Sequence, residues 1–282
     1  MRYLGILLAI VISLSSGAQP RTDPYVNELL LDNNDSLLQH VLQHPETYRL
    51  QFIYTQITRD SRNQPSLTNY YYNVDSLQYF NPASTVKLPL AVLSLEKMHA
   101  LKKHGVDMNT PMQIDSSYSG QSAMLSDSTS ENGFPSIAHF IKKVFLISDN
   151  IAYNRMYEFL GQETINRRFH EMGYPDFRIT RRFVRMNEDE NRHTNAIRFI
   201  TPTGKLLYRQ PAAYNRNSFN FTHINKMGKA HYANDSLLDA PIDFTTANNV
   251  SVYHLQQCLQ AILFPKSMPA VKRLRLTEED YK

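Results

Sequence analysis

Ser84 and Lys87 place a hydroxyl and an amine close together at a predicted helix start. Ser84 and Lys87 are three residues apart in the segment 79–90, which continues into an apolar run. Asn81 is a favoured N-cap and Pro82 a favoured first helical residue, so a helix is predicted to begin near Pro82. Residues three apart share a helix face, so a neutral Lys87 amine could take the proton of the Ser84 hydroxyl. The spacing therefore predicts a serine nucleophile with a lysine base.

The helix start also offers a backbone donor. The first N–H groups of a helix lack internal partners, so the Ser84 amide is predicted to be free for an incoming carbonyl oxygen. Ser94 and Lys97 repeat the same spacing in the middle of the helix, where the amide of Ser94 is used by the helix itself. We interpret that second pair as non-catalytic. Pro89 is expected to cause a slight irregularity.

Ser148, Asp149 and Asn150 stand at the junction of two predicted helices, 136–147 and 151–160. Such residues commonly cap helices, and capping alone would explain them. Their position after the Ser84 and Lys87 pair, with helices in between, favours a functional role instead.

These two motifs together resemble those of the penicillin-recognising serine hydrolases, nearest to class A β-lactamases and D-alanyl-D-alanine peptidases. The resemblance covers about residues 48–172. It implies an α+β fold of the β-lactamase and transpeptidase type, in which a helical lobe packs on an antiparallel sheet. It also implies an acyl-enzyme reaction on a β-lactam or a peptidoglycan stem peptide, both small-molecule substrates.

The resemblance assigns a role to each motif residue. Ser84 would attack the carbonyl, and its amide would form part of the oxyanion hole. Lys87 would accept the proton if its pKa is depressed. Ser148 would pass a proton to the leaving nitrogen, and Asn150 would bind the substrate amide and hold Lys87. No metal ion or organic cofactor is implied.

The family's third motif, a Lys-Thr-Gly triplet, should follow the helix predicted for 245–264 and is not found there. The triplets 203–205 and 226–228 are superficially similar but precede that helix. Either the chain is truncated relative to its relatives or the lineage lost the C-terminal strands of the sheet. Truncation is the simpler explanation, and it predicts a product that is unstable or inactive alone. A catalytically inactive fragment therefore remains an alternative.

Class A enzymes also use an Ω-loop glutamate to activate the deacylating water. Glu188 and Glu190 lie in the corresponding region, within a stretch that also reads as a solvated acidic loop. Without that glutamate the acyl-enzyme would persist. The first prediction is therefore a β-lactamase-like hydrolase, and the alternative is a carboxypeptidase or transpeptidase of the penicillin-binding type.

The N-terminus predicts export. A basic start is followed by the apolar stretch 4–14 and by small residues at Ser16 and Ala18, as in a cleaved secretory signal peptide. We predict a signal peptide over 1–18 and a hydrolase domain over 19–282, located in the periplasm or secreted. No stable membrane anchor is expected after cleavage.

Composition narrows the class further. A hydrophobic content of 42% with 20% charged residues is typical of a globular protein. Cys258 is the single cysteine, so no internal disulfide can form, and its apolar surroundings predict a buried structural thiol. The net charge of +4 is modest, and an exported chain without a recognisable binding module is not expected to bind nucleic acid. The arginines at 178, 181, 182 and 185 are interpreted as a solvated face, with docking of anions as the alternative.

In the rest of the chain, the spacing of apolar residues predicts further helices and strands. Helical spacing is found in 25–43 and 163–172, and alternation predicts a strand hairpin over 48–58 and 70–74. A second, small hairpin is predicted over 196–210. The last residues, 265–282, show no evident core role.

Overall fold

The computed structural model describes residues 21–281. Its helices are α1 (Pro24–Leu31), α2 (Ser36–Gln43), α3 (Pro45–Tyr48), α4 (Lys87–Leu101), α5 (Ile137–Ile147), α6 (Asn150–Leu160), α7 (Gln162–Glu171), α8 (Glu188–Arg192) and α9 (Val252–Leu263). Its strands are β1 (Phe52–Arg59), β2 (Pro65–Tyr72), β3 (Met112–Ile114), β4 (Ile197–Ile200), β5 (Leu206–Gln210), β6 (Lys226–Met227), β7 (His231–Ala233), β8 (Ser236–Leu238) and β9 (Ile242–Asp243). The predicted signal peptide, 1–18, lies outside the described residues.

Helix α4 is the centre of the main core. It packs against α5 and α6, and its apolar side chains join those of β3 and β4. Leu90, Phe140 and Met156, one from each of the three helices, are fully buried. Across residues 21–281, no helix combines the length and the apolar character needed to cross a membrane. Helices and antiparallel strand pairs confirm the predicted α+β class.

The hairpin β1–β2 is antiparallel, with Phe52 opposite Tyr72 at one end. Because side chains alternate along a strand, its two faces carry different residues. Tyr72 packs with Val26 of α1 and Leu42 of α2 in a second, smaller core. On the other face, Thr55 accepts a hydrogen bond from Gln256 of α9 at 3.0 Å. Helices thus contact both faces of the hairpin near the end where Phe52 and Tyr72 pair, while residues 56–59 are exposed.

A second sheet has the order β3–β4–β5, all antiparallel, and contains the predicted hairpin of 196–210. The triplet 203–205 forms the turn between β4 and β5, where Gly204 has a φ of 86°. Lys226 and Met227 form β6, which pairs with β9 in a separate two-stranded ribbon. Both triplets that resemble the third motif therefore lie in short hairpins or ribbons.

Two predictions near the C-terminus were wrong. The last helix begins at Val252 instead of residue 245, because Ser251 caps it by accepting a hydrogen bond from the amide of His254 at 3.1 Å. Residues 265–281 do contribute to the core: Leu274 is 6% exposed and belongs to the main cluster. The prediction for Cys258 was correct, since the thiol is buried and burial raises its pKa to about 12.

The segment 265–281 is also tied to α4 by polar contacts. The backbone N–H of Arg275 donates to the carboxylate of Glu96, and His99 Nε2 lies 2.7 Å from Asp280 Oδ2. Glu96 in turn accepts two hydrogen bonds from Arg168 of α7, each at 2.9 Å. The segment therefore forms a strap across the outer side of α4.

Candidate active site

The chain enters α4 through a tight turn. The predicted α-helical start at Pro82 is instead a 3-10 turn over Ala83–Val86, and α4 proper begins at Lys87. Asn81 Oδ1 accepts a hydrogen bond from the Ala83 amide at 3.2 Å. Ala83 has a φ of 43°, in the left-handed region that non-glycine residues rarely adopt. The irregularity predicted at Pro89 was wrong: Pro89 lies in the first turn of α4, where a missing N–H is tolerated, and the helix continues through it.

The Lys87 amine is the point at which the site residues meet. Its Nζ lies 3.2 Å from Ser84 Oγ, 2.9 Å from Ser148 Oγ and 2.8 Å from Asn150 Oδ1. It also donates to the carbonyl oxygen of Ser148. The structure thus brings together all four residues that the sequence predicted for the site.

The environment of this amine lowers its pKa on balance. Lys87 is only 3% exposed, and burial lowers its pKa, while the nearby carboxylate of Asp149 acts in the opposite direction. The ring of Phe183 covers it, with 5.3 Å between Nζ and the ring centroid. A buried lysine with a lowered pKa, in contact with a hydroxyl, is suited to accept a proton.

Ser84 itself is open to solvent, as a nucleophile must be to meet a substrate. The neighbouring amide of Thr85 donates to Pro82 at 2.9 Å. Within residues 21–281 the Ser84 amide has no acceptor, in agreement with the predicted donor for an oxyanion. The hydroxyl and the N–H without an acceptor therefore belong to one exposed residue in the turn that leads into α4.

The junction 148–150 has both the capping and the site-forming features. Asp149 caps α6 by accepting a hydrogen bond from the Ala152 amide at 2.8 Å. Ser148 ends α5 with a φ of 53°, a left-handed conformation that directs its carbonyl toward Lys87. Capping is thus the role of Asp149, while Ser148 and Asn150 contact the lysine.

One side of the site is held by an asparagine that sequence reasoning missed. Asn248 Oδ1 accepts hydrogen bonds from the amides of Thr180 at 2.8 Å and Arg181 at 3.0 Å. The backbone carbonyl of Asn248 accepts one from the hydroxyl of Tyr79 at 3.2 Å, just before the turn 83–86. Phe183, which follows in the same segment, is fixed by its amide, which donates to Asn154 Oδ1 at 2.7 Å. No sequence signal linked Asn248 to this segment.

The arginine cluster is not the solvated face that the sequence suggested. Arg182 is 2% exposed, and its Nε donates to Glu158 Oε1 at 3.0 Å. Arg155 donates to the other carboxylate oxygen of Glu158 at 2.8 Å. Arg181 and Arg185 are exposed, as predicted. The buried charges connect the segment that carries Phe183 to helix α6.

The two acidic residues considered for deacylation are engaged within α8. Glu190 accepts a hydrogen bond from the Asn187 amide at 2.8 Å and completes a capping box. Glu188 forms an exposed ion pair with Arg192 at 2.8 Å. Their carboxylates therefore stabilise this short helix. No group of three or more metal-binding side chains is found within residues 21–281.

A protein-family model described as "Beta-lactamase enzyme family" matches residues 44–208. The match covers more than half of the 282 residues and includes the hairpin β1–β2, the turn 83–86 and the junction 148–150. No curated protein matches the chain.

Proposed function

Since this chain belongs to the β-lactamase enzyme family, we propose that it is an exported serine hydrolase that opens β-lactam amide bonds through an acyl-enzyme. Family membership supports a β-lactamase-like serine hydrolase in general. The observation that carries the finer proposal is the position of Lys87 Nζ, 3.2 Å from Ser84 Oγ and 2.9 Å from Ser148 Oγ.

In the proposed first step, Ser84 Oγ bonds to the carbonyl carbon of the lactam while its proton moves to the neutral Lys87 amine. The negative charge on the carbonyl oxygen is stabilised by the Ser84 N–H. The C–N bond then breaks, and Ser148 hands a proton to the leaving nitrogen and regains one from Lys87. Because Asn150 Oδ1 accepts from Lys87, its Nδ2 remains as a donor to the substrate.

A penicillin-binding peptidase, either a carboxypeptidase or a transpeptidase, is the second candidate. It is favoured by the engagement of Glu188 and Glu190 within α8, because neither carboxylate is then free to activate a deacylating water. Such a protein would react once with a β-lactam and hold it. A catalytically inactive member of the fold is the third candidate. Such a protein would not react with a β-lactam at all.

The test is covalent labelling by benzylpenicillin, followed by intact-mass spectrometry. We expect the wild-type protein to gain the mass of one penicillin, the Ser84→Ala variant to gain none, and the matched Ser94→Ala variant to behave as wild type. An unlabelled wild-type protein would contradict the acyl-enzyme. A label that persists in Ser84→Ala would show that another residue is the nucleophile.

The β-lactamase and the peptidase are distinguished by whether the protein turns over a β-lactam repeatedly or reacts only once. Steady hydrolysis of a chromogenic cephalosporin supports the β-lactamase, and a single stoichiometric burst supports the peptidase.

Export is tested by N-terminal sequencing of the full chain expressed with a secretion system, where cleavage after Ala18 is expected. Retention of Met1 would contradict it.

A further inference from the structure

A small pocket lies between α4, α7 and the strap 265–281, well away from Ser84. Its volume is about 270 Å³. Its lining residues are Leu93, Glu96, Lys97, Leu160, Thr164, Arg167, Arg168, Glu171 and Arg275. Four of these side chains are cationic and two are carboxylates, which leaves an excess of two positive charges. Lys97 is ten residues beyond Lys87 on α4, or about 15 Å along the helix.

The Lys97 amine is buried without a counter-ion. Its Nζ donates to the carbonyl oxygen of Phe159 and lies 4.4 Å from the centroid of the Phe159 ring. Among residues 21–281 no carboxylate forms an ion pair with it, and burial lowers its pKa to about 8. A buried ammonium with only a carbonyl and a ring as partners is destabilising unless an anion approaches it.

The two carboxylates in the pocket are already paired. Glu96 accepts from the Arg168 guanidinium at 2.9 Å, and Glu171 accepts from Arg167 at 2.9 Å. In the same described residues, the exposed guanidinium of Arg275 has no carboxylate partner, since only its backbone N–H contacts Glu96. Lys97 and Arg275 therefore account for the uncompensated charge.

We propose that this pocket binds a phosphate group, supplied by the free ion or by a small phosphate monoester. Two uncompensated cations match the charge of a phosphate dianion, and a guanidinium fork pairs well with phosphate oxygens. Lys97 supplies the charge at the base of the pocket, Arg275 closes it from the strap, and the Thr164 hydroxyl is available as a further donor. The site is independent of the reaction at Ser84.

The test is a titration of the full chain with sodium phosphate, followed by amide NMR shifts, at an ionic strength held constant with sodium chloride. We expect saturable shifts in α4, α7 and the strap. Lys97→Met should weaken the phosphate affinity at least tenfold. Lys103→Met, at an exposed position beyond the end of α4, should leave the affinity unchanged. Arg275→Gln, also exposed, should weaken it severalfold.

A second titration with glycerol 3-phosphate separates the two sources. Tighter binding than inorganic phosphate indicates a monoester, and equal or weaker binding indicates the free ion; both support the pocket. Shifts that do not saturate, that sodium chloride reproduces, or that persist unchanged in Lys97→Met would overturn the proposal.

Discussion

Two serine-lysine pairs with the same spacing lie in different surroundings, one across the 3-10 turn and the start of α4 and the other in the middle of α4. Ser84 is exposed in the 3-10 turn, and its hydroxyl lies 3.2 Å from Lys87 Nζ. Ser94 is fully buried, and its hydroxyl donates to the Leu90 carbonyl at 2.8 Å. Lys97 donates to Phe159 instead of to the serine three residues before it. The same sequence spacing thus gives a serine and a lysine in contact at the helix start and two residues with separate partners in its middle.

Burial lowers the pKa of both lysines, so a depressed pKa alone does not identify a base. What distinguishes Lys87 is its set of partners, which includes two hydroxyls and the Asn150 amide oxygen. A base must reach the proton that it removes, and only the helix start allows this geometry.

The largest expected difference between the pairs is in acylation. Lys87→Met should lower the rate of acylation by benzylpenicillin about a thousandfold, as expected for loss of a general base. Lys97→Met should change that rate less than twofold. The measurement is the rate of mass gain under single-turnover conditions. Equal losses in both variants would show that the distinction between the pairs is wrong.

The second difference concerns stability and pH. The folded-state pKa of Lys97, about 8, lies below its usual value of 10.5, so the unfolded chain binds more protons between these values. Wild-type stability should therefore rise with pH across this window, by up to about 3 kcal/mol.

Lys97→Met removes this titration and is expected to flatten the profile. The measurement is urea unfolding at pH 7.5 to 10.5 in buffers without phosphate, with Lys103→Met as the control that keeps the wild-type slope. An unchanged slope in Lys97→Met would assign the pH dependence to other groups.

A smaller effect is expected from the serines themselves. Ser94→Ala deletes a buried hydrogen bond and should destabilise the fold by about 1 kcal/mol. Ser84→Ala, at an exposed position, should stay within about 0.5 kcal/mol of wild type. Urea midpoints at pH 7.5 measure both. A larger loss for Ser84→Ala would mean that this hydroxyl is structural.

The smallest effect tests strain at the reactive end of α4. Ala83→Gly relieves the left-handed conformation of Ala83 but adds freedom to the unfolded chain, so a net gain of about 0.5 kcal/mol is expected. Ala100→Gly, at an exposed position near the C-terminal end of α4, should instead cost up to about 1 kcal/mol. Thermal melting of both variants gives the comparison, and losses of the same size would argue against strain at Ala83.

Local patterns predicted the parts of the site that are close in sequence. The positions of Ser84 and Lys87 followed from helix-start signals, and the junction 148–150 followed from the ends of two amphipathic helices. The 3-10 geometry of the turn was not predicted from the sequence, because alanine rarely adopts the left-handed backbone conformation that Ala83 has there.

Such local patterns did not predict contacts between residues that are far apart in the sequence. Four arginines in eight residues are typical of a solvated surface, yet Arg182 is buried because Glu158, on another element, neutralises it. The strap was predicted to have no core role because its apolar contacts come from isolated residues, Met268, Leu274 and Leu276, which show no periodic pattern. Such contacts depend on the packing of elements that are distant in the chain, which periodicity does not encode.

The hydrogen bonds of Asn248 also constrain how the protein folds. Its contact with Tyr79 joins residues 169 apart, and its contact with Thr180 joins residues 68 apart. At synthesis rates of about 5 to 20 residues per second, the ribosome would release Asn248 many seconds after the turn 83–86. Ser84 and Lys87 can come into contact early, but the segment that covers them cannot be fixed until Asn248 has been synthesised. Maturation of the site is therefore expected to be a late step of folding, limited by loop closure and not by formation of α4.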